Sequence, residues 1–122
     1  MKIAITSRGN DLSAEIDPRF GRCQYFVIVD TETMEFESVE NASAMAMGGA
    51  GPQAAQAISQ KGAEAVITGN VGPNAYQALE AAGIKVITGA GGTVKDMVDK
   101  FKSGDFSETN APSVGSHAGM RR

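Results

Sequence analysis

The chain has no tryptophan, one cysteine and one histidine among its 122 residues. A single cysteine excludes an intrachain disulfide and favours a reducing compartment, so we expect a cytoplasmic protein. The lone histidine, His117, stands near the end of the sequence, which argues against a Ser-His-Asp hydrolase. No apolar run approaches the length of a membrane span, and a net charge of −3 provides no basic patch. We therefore expect neither membrane nor nucleic acid as a partner.

Glycine, by contrast, is abundant, and much of it lies in a repeated pattern. Residues 51–69 (GPQAAQAISQKGAEAVITG) and 72–89 (GPNAYQALEAAGIKVITG) both begin with Gly-Pro and an amide residue. Both continue as an alanine-rich amphipathic run and end in Val-Ile-Thr-Gly. Proline favours the first position of a helix, glycine ends one, and a short β-branched run suits a buried parallel strand. The chain therefore contains a duplicated helix–strand unit.

The rest of the pattern predicts an α/β fold with the element order βββαβαβα. Strands are predicted at residues 2–6, 24–30, 34–39, 64–68 and 84–88, and helices at 52–61, 73–82 and 93–103. An antiparallel meander followed by right-handed crossovers gives a five-stranded mixed sheet in the order 3-2-1-4-5, with helices packed on it. We expect one domain over residues 1–106 and a flexible tail over 107–122, where small and polar residues lack periodicity.

Glycine-rich loops stand before all three predicted helices. Gly48, Gly49 and Gly51 precede or open the first, residues 69–72 the second, and residues 89–92 the third. We expect these helix starts along one edge of the sheet, where unpaired N–H groups and the helix dipole favour an anion. Neither a Walker motif nor a dinucleotide-binding fingerprint is present. Alternatively, the glycines serve only to turn the chain.

A second candidate is the segment Asp17-Pro18-Arg19-Phe20-Gly21-Arg22-Cys23, within and just after a long irregular loop. Arg19 and Arg22 offer forked donors to a carboxylate, a phosphate or another anion, and Asp17 can orient one of them. Cys23 can ligate a soft metal as a thiolate, its pKa lowered by the nearby arginines. Alternatively, Asp17 pairs with an arginine to hold the loop while Phe20 and Cys23 pack in the core. Both interpretations stay open.

Together with the glycine loops 48–51 and 69–72, the latter continuing as Pro73-Asn74-Ala75, this segment resembles the dinitrogenase iron–molybdenum cofactor biosynthesis family over residues 1–106. The resemblance implies a ribonuclease-H-like fold and the binding of an iron–sulfur or iron–molybdenum-type cluster. We expect Cys23 to be the metal ligand of such a cluster, within a set of cofactor-binding residues that comprises Arg19, Phe20, Gly21, Arg22, Cys23, Gly48, Gly49, Gly51, Asn70 and Gly72.

One residue departs from the pattern of the nitrogenase-linked members of that family. They tend to carry His-Phe-Gly where this chain has Arg19-Phe20-Gly21. An imidazole can ligate iron, whereas a guanidinium keeps its proton and can only pair with an anion. The chain therefore looks more like the small stand-alone members of the family.

Two functional hypotheses follow. The first is a non-catalytic carrier or accessory protein for an iron–sulfur or iron–molybdenum-type cluster, served by a protein that donates or accepts the cluster. The second is a regulatory module, or an uncharacterised enzyme, that binds a phosphate or carboxylate ligand without metal. Met45 and Met47 are further candidate soft ligands. A two-metal nuclease is excluded, because residues 2–6 contain no acidic residue.

Overall fold

A computed structural model describes residues 1–44, 48–106 and 108–109. These residues form β1 (Lys2–Ser7), β2 (Tyr25–Asp30), β3 (Phe36–Glu40), α1 (Ala50–Gln60), β4 (Ala65–Ile67), α2 (Pro73–Ala81), β5 (Lys85–Ile87) and α3 (Val94–Lys102). The sheet order β3-β2-β1-β4-β5 confirms the predicted topology. The pairs β1–β2 and β2–β3 are antiparallel, and the pairs β1–β4 and β4–β5 are parallel.

Each face of the sheet has its own hydrophobic core, because successive side chains of a strand point to opposite faces. Ala4 of β1 faces a core with residues of α1 and α2, among them Ile58 and Leu79. Ile3 and Ile5 face a second core that includes Val94 and Val98 of α3. The helices α1 and α2 therefore cover one face, and α3 covers the other.

The three helices begin in different ways. Gly49, in the left-handed conformation at φ 74°, turns the chain into α1, which begins at Ala50, two residues before its predicted start. Pro73 occupies the first position of α2, as predicted. At α3, Thr93 and Asp96 form a reciprocal capping box. No described side chain caps α1 or α2. Pro52 and Pro73 have no N–H, so the uncapped donors of the first turns are the N–H groups of the other residues there.

The segment after α3 runs along the edge of β5. The N–H of Thr109 donates to the carbonyl of Val86 at 2.6 Å, and its hydroxyl lies 2.9 Å from that of Thr88. Most of the predicted tail lies outside the described residues, as do Met45, Met47 and His117. The boundary between domain and tail stays a prediction. No helix in the described ranges is both long and apolar enough to cross a membrane.

Candidate anion-binding site

The long loop between β1 and β2 is held against the loop between β4 and α2. Arg19 and Asn70 form a parallel bridge, in which the N–H of Asn70 donates to the carbonyl of Pro18 at 2.7 Å. Gly69 makes this approach possible, since a Cβ at that position would lie 2.6 Å from the Cβ of Pro18. The segment that carries the predicted arginines is therefore fixed beside one of the predicted glycine loops.

Asp17 is buried and orients Arg19. Its carboxylate accepts hydrogen bonds from the backbone N–H of Arg19 at 3.0 Å and from Nε and Nη2 at 3.1 Å each. Burial by itself raises the pKa of Asp17, but the hydrogen bonds and charge of Arg19, together with the charge of Arg8, outweigh it and lower the pKa. The Arg19 side chain is 63% exposed, so its remaining N–H groups are available to a ligand.

Beside this ion pair lies a cavity of about 440 Å³, which we call the arginine cavity. Its lining contains three arginines and two carboxylates: Arg8, Asp17, Arg19, Arg22, Gln24, Glu40, Asn41, Ala42 and Ala44. The three guanidinium groups outnumber the carboxylates of Asp17 and Glu40 in this lining, so its charged groups are net positive. Such forked donors recognise anions with oxygen or sulfur acceptors.

A second cavity, of about 290 Å³, lies where α1 and α2 begin, and we call it the helix-start cavity. Gly21 and Arg22 line one side of it, and residues 49–52 and 72–75 line the rest. A Cβ at Gly21 would lie 3.0 Å from the N atom of Gly51, and a Cβ at Gly51 would lie 2.7 Å from the Cβ of Ala75. The three segments meet only because glycine stands at both contacts. Neither helix has an acidic residue in its first turn, so the positive ends of both dipoles are unopposed there.

Arg22 lines both cavities and connects them. Its Nη1 donates to the carbonyl of Ala44 at 2.8 Å. The predicted residues Gly21, Gly49, Gly51 and Gly72 also line the helix-start cavity. The structure thus brings one arginine of the first loop to the starts of two helices.

The third glycine loop does not share this site. The carbonyl of Gly92 accepts a hydrogen bond from the N–H of Ile16 at 2.9 Å, and α3 packs on the opposite face of the sheet. The capping box at Thr93 and Asp96 already occupies its helix start. Gly48 is exposed and does not line either cavity. The predicted common site of three helix starts is therefore reduced to two.

Phe20 and Cys23 lie in the core rather than in the cavities. The ring of Phe20 packs on that of Phe26 with centroids 5.6 Å apart, and the Cys23 thiol donates to the carbonyl of Phe20 at 3.3 Å. Burial raises the pKa of Cys23 to about 12, and the charge of Asp17 adds to the rise. The prediction that neighbouring arginines lower this pKa is wrong, because the loss of hydration at a fully buried sulfur outweighs their charge.

The burial of Cys23 argues against its predicted part as a metal ligand, which stays a prediction, since only the thiolate binds metal well. Within residues 1–44, 48–106 and 108–109, no group of three or more His, Cys, Asp and Glu side chains is placed to hold a metal ion. Arg8, Arg19 and Arg22 bring guanidinium groups to the linings of the two cavities, and α1 and α2 begin at one of them. The geometry therefore suits an anion held by hydrogen bonds and charge.

Sequence analysis missed Asn41, a buried residue. It lines the arginine cavity and is bonded to Gly21, which lines the helix-start cavity. Its Nδ2 donates to the carbonyls of Gly21 at 3.1 Å and Cys23 at 2.9 Å. Its Oδ1 accepts from the N–H of Ser43 at 3.2 Å and from the hydroxyl of Ser43 at 2.8 Å. An Asn that directly follows an edge strand and precedes Ala-Ser is a recognisable turn signal, but it does not reveal the distant carbonyls.

Comparison with known proteins agrees with this architecture. The sequence profile of the family described as dinitrogenase iron–molybdenum cofactor matches residues 1–104. The apo form of the orange protein from Desulfovibrio gigas is 45% identical, with a TM-score of 0.90 over 92% of this chain and 95% of that chain. A candidate NifB protein from Thermotoga is 46% identical, with a TM-score of 0.77 over 88% and 91%. No curated protein matches the sequence.

Proposed function

Because this chain belongs to the dinitrogenase iron–molybdenum cofactor family, we propose that it is a non-catalytic carrier or accessory protein for an anionic metallocluster. The cargo is an iron–sulfur or iron–molybdenum-type cluster, which the protein receives from one partner protein and delivers to another in the cytoplasm. The observation that carries the proposal is the position of Arg22, which joins the arginine cavity to the two open helix starts.

In this proposal the cluster is bound through its charge. Arg8, Arg19 and Arg22 line one cavity, and the first turns of α1 and α2 line the other. Charged hydrogen bonds of this kind are about twice as strong as neutral ones, and both donor types act without losing a proton. Cys23 belongs to the core in this proposal and has no part in binding. The cargo is therefore held by donors that surround it rather than by a covalent ligand.

A second candidate is a regulatory module for a phosphate or carboxylate ligand without metal. The same donors favour it, since no described group of side chains is arranged as a metal site. The two candidates differ in the ligand and share the residues. They are separated by offering the protein a cluster and simple anions in parallel.

The test uses the full chain, purified without oxygen and mixed with a synthetic iron–sulfur cluster, inorganic phosphate or citrate. We expect the visible absorbance of the cluster to stay with the protein on gel filtration. Cys23→Ala should retain it, whereas Arg19→Ala and Arg22→Ala should each weaken binding about tenfold or more, the value of one charged hydrogen bond. Lys95→Ala is the control, because Lys95 is an exposed residue of α3 paired with Asp99.

The outcomes separate the two candidates. If Cys23→Ala abolishes cluster binding while the arginine variants bind normally, the charge-based proposal is wrong. If phosphate or citrate raises the melting temperature and the cluster does not bind, the second candidate is correct. If no probe binds to the wild-type chain, both proposals fail.

A further inference from the structure

We propose that Asn41 is a positioning residue that fixes Arg22 at both ends of its side chain. This inference rests on the proposed function, because Arg22 is the residue that joins the two cavities. Asn41 itself lines the arginine cavity but is buried, with its amide directed at neighbouring backbone. Its part is therefore to place another donor rather than to bind the ligand.

The first end is the backbone of Arg22. The Nδ2 group of Asn41 donates to the carbonyls of Gly21 and Cys23, the residues on either side of Arg22. The backbone N–H of Asn41 donates to the carbonyl of Gln24 at 2.9 Å. Three hydrogen bonds from Asn41 thus hold the short segment from which the arginine side chain projects.

The second end is the guanidinium. The Oδ1 atom of Asn41 accepts both hydrogen bonds from Ser43, and the N–H of Ala44 donates to the carbonyl of Asn41 at 3.2 Å. This turn presents the carbonyl of Ala44 to Nη1 of Arg22 at 2.8 Å. Asn41 therefore holds both the backbone from which the Arg22 side chain begins and the turn whose Ala44 carbonyl accepts from its guanidinium.

The same turn reaches the second cavity. The hydroxyl of Ser43 lies 3.4 Å from the carbonyl of Ala50, the first residue of α1. Residues Gly21 and Ala50 both line the helix-start cavity. Loss of the Asn41 amide is therefore expected to loosen Arg22 relative to α1, rather than only to destabilise a surface turn.

Arg19 provides an internal control, because Asp17 holds it through separate hydrogen bonds. The experiment compares the Nε–Hε order parameters of Arg19 and Arg22 by NMR in the full chain without ligand. In Asn41→Ala, we expect the value for Arg22 to fall toward that of a flexible side chain while the value for Arg19 is unchanged. Equal values for Arg22 in both proteins would overturn the proposal.

A double-mutant cycle provides the second readout, with the synthetic iron–sulfur cluster and phosphate as probes. We expect Asn41→Ala to weaken binding about as much as Arg22→Ala, and the double variant to be no weaker than either single variant. Full additivity would mean that Asn41 acts independently of Arg22 and would contradict the inference. Should Asn41→Ala not fold, Ser43→Ala is the alternative variant. It removes the hydroxyl donor to Oδ1 together with the longer contact to the carbonyl of Ala50, and it is expected to loosen the guanidinium of Arg22 in part. An unchanged Arg22 would count against the proposal. If the wild-type chain binds neither probe, the proposed function fails while the order parameters still decide the positioning.

Discussion

Replacing Gly69 with alanine would test whether the close contact of two loops builds the site. Gly69 lies between β4 and α2, directly against the segment that carries Asp17 and Arg19. An added methyl group would lie 2.6 Å from the Cβ, 2.7 Å from the Cα and 2.9 Å from the carbonyl oxygen of Pro18. Two of these atoms belong to the backbone and the third to a rigid ring, so no flexible side chain can move aside. The two loops must separate instead.

The expected loss of stability follows from these contacts. Overpacking in a dense region costs about 1–3 kcal/mol. Separation of the loops also weakens the hydrogen bond from Asn70 N–H to the carbonyl of Pro18, which contributes about 1 kcal/mol. We therefore expect Gly69→Ala to lower the free energy of unfolding by about 2–4 kcal/mol. For a domain of this size, that corresponds to a fall of roughly 10 °C in melting temperature.

Urea denaturation followed by circular dichroism measures this difference, and Gly72→Ala is the matched control. Gly72 stands three residues later in the same loop, with φ −83° and no atom within 4 Å of an added Cβ. Its substitution is expected to change the free energy of unfolding by less than about 1 kcal/mol, since the lost preference for glycine at the helix start is offset by a less flexible unfolded chain. Equal stabilities of the two variants would refute the packing argument.

Three further predictions concern single residues. The Cys23 thiol should not react with a disulfide reagent at pH 8 until urea unfolds the chain, because it is buried and its pKa is about 12; rapid reaction of the folded chain would contradict its placement. Because the folded-state pKa of Asp17 is lowered, its carboxylate stabilises the fold above its ordinary value of 3.8, and this contribution is lost as the pH falls through the lowered value. Asp17→Asn should therefore be less stable than wild type at pH 7 but approach it in acid, whereas Asp99→Asn, in an exposed ion pair, should differ little at either pH. Thr93→Ala should cost about 1 kcal/mol through the lost cap of α3 and leave cluster binding unchanged; weaker binding would show that α3 belongs to the site.

The sequence predicted the fold because the necessary signals are local. The Gly-Pro openings and the glycines that follow each helix place α1, β4, α2 and β5 within one or two residues of their observed ends. The crossover rule then orders the parallel strands. It does not determine the face of α3, since no strand follows this helix in the described structure. For that reason the third glycine loop was expected beside the other two, although α3 packs on the opposite face.

The chemistry of the site depends on contacts between distant residues, which local patterns do not reveal. The hydrogen bonds of Asn41 to Cys23 and Gly21 span 18 and 20 residues of sequence. The high pKa of Cys23 is another such effect, because it results from burial in the core that includes Phe26 and Ala54, and from the charge of Asp17. The charges of residues that neighbour Cys23 in sequence therefore did not predict the pKa of its thiol. The pairing of Asp17 with Arg19, only two residues apart, could be predicted as one of two alternatives.

The donors at this site have a fixed protonation state, so the contacts that position them, made by glycines and by Asn41, are what can change their interaction with a ligand. Guanidinium and backbone N–H groups keep their protons throughout the physiological pH range, and the bond to Asp17 raises the pKa of Arg19 further. Their charge state therefore gives no means of adjusting affinity. The affinity therefore depends on where these donors are placed, because a hydrogen bond weakens steeply as its angle departs from linear. Under the proposed carrier function the cargo must also be released, and contacts that depend on charge and position would weaken together if the loops that hold them moved apart. The contacts of Gly69 with Pro18, of Gly51 with Ala75, and of Asn41 with the segment around Arg22 are thus the features through which binding strength can be set.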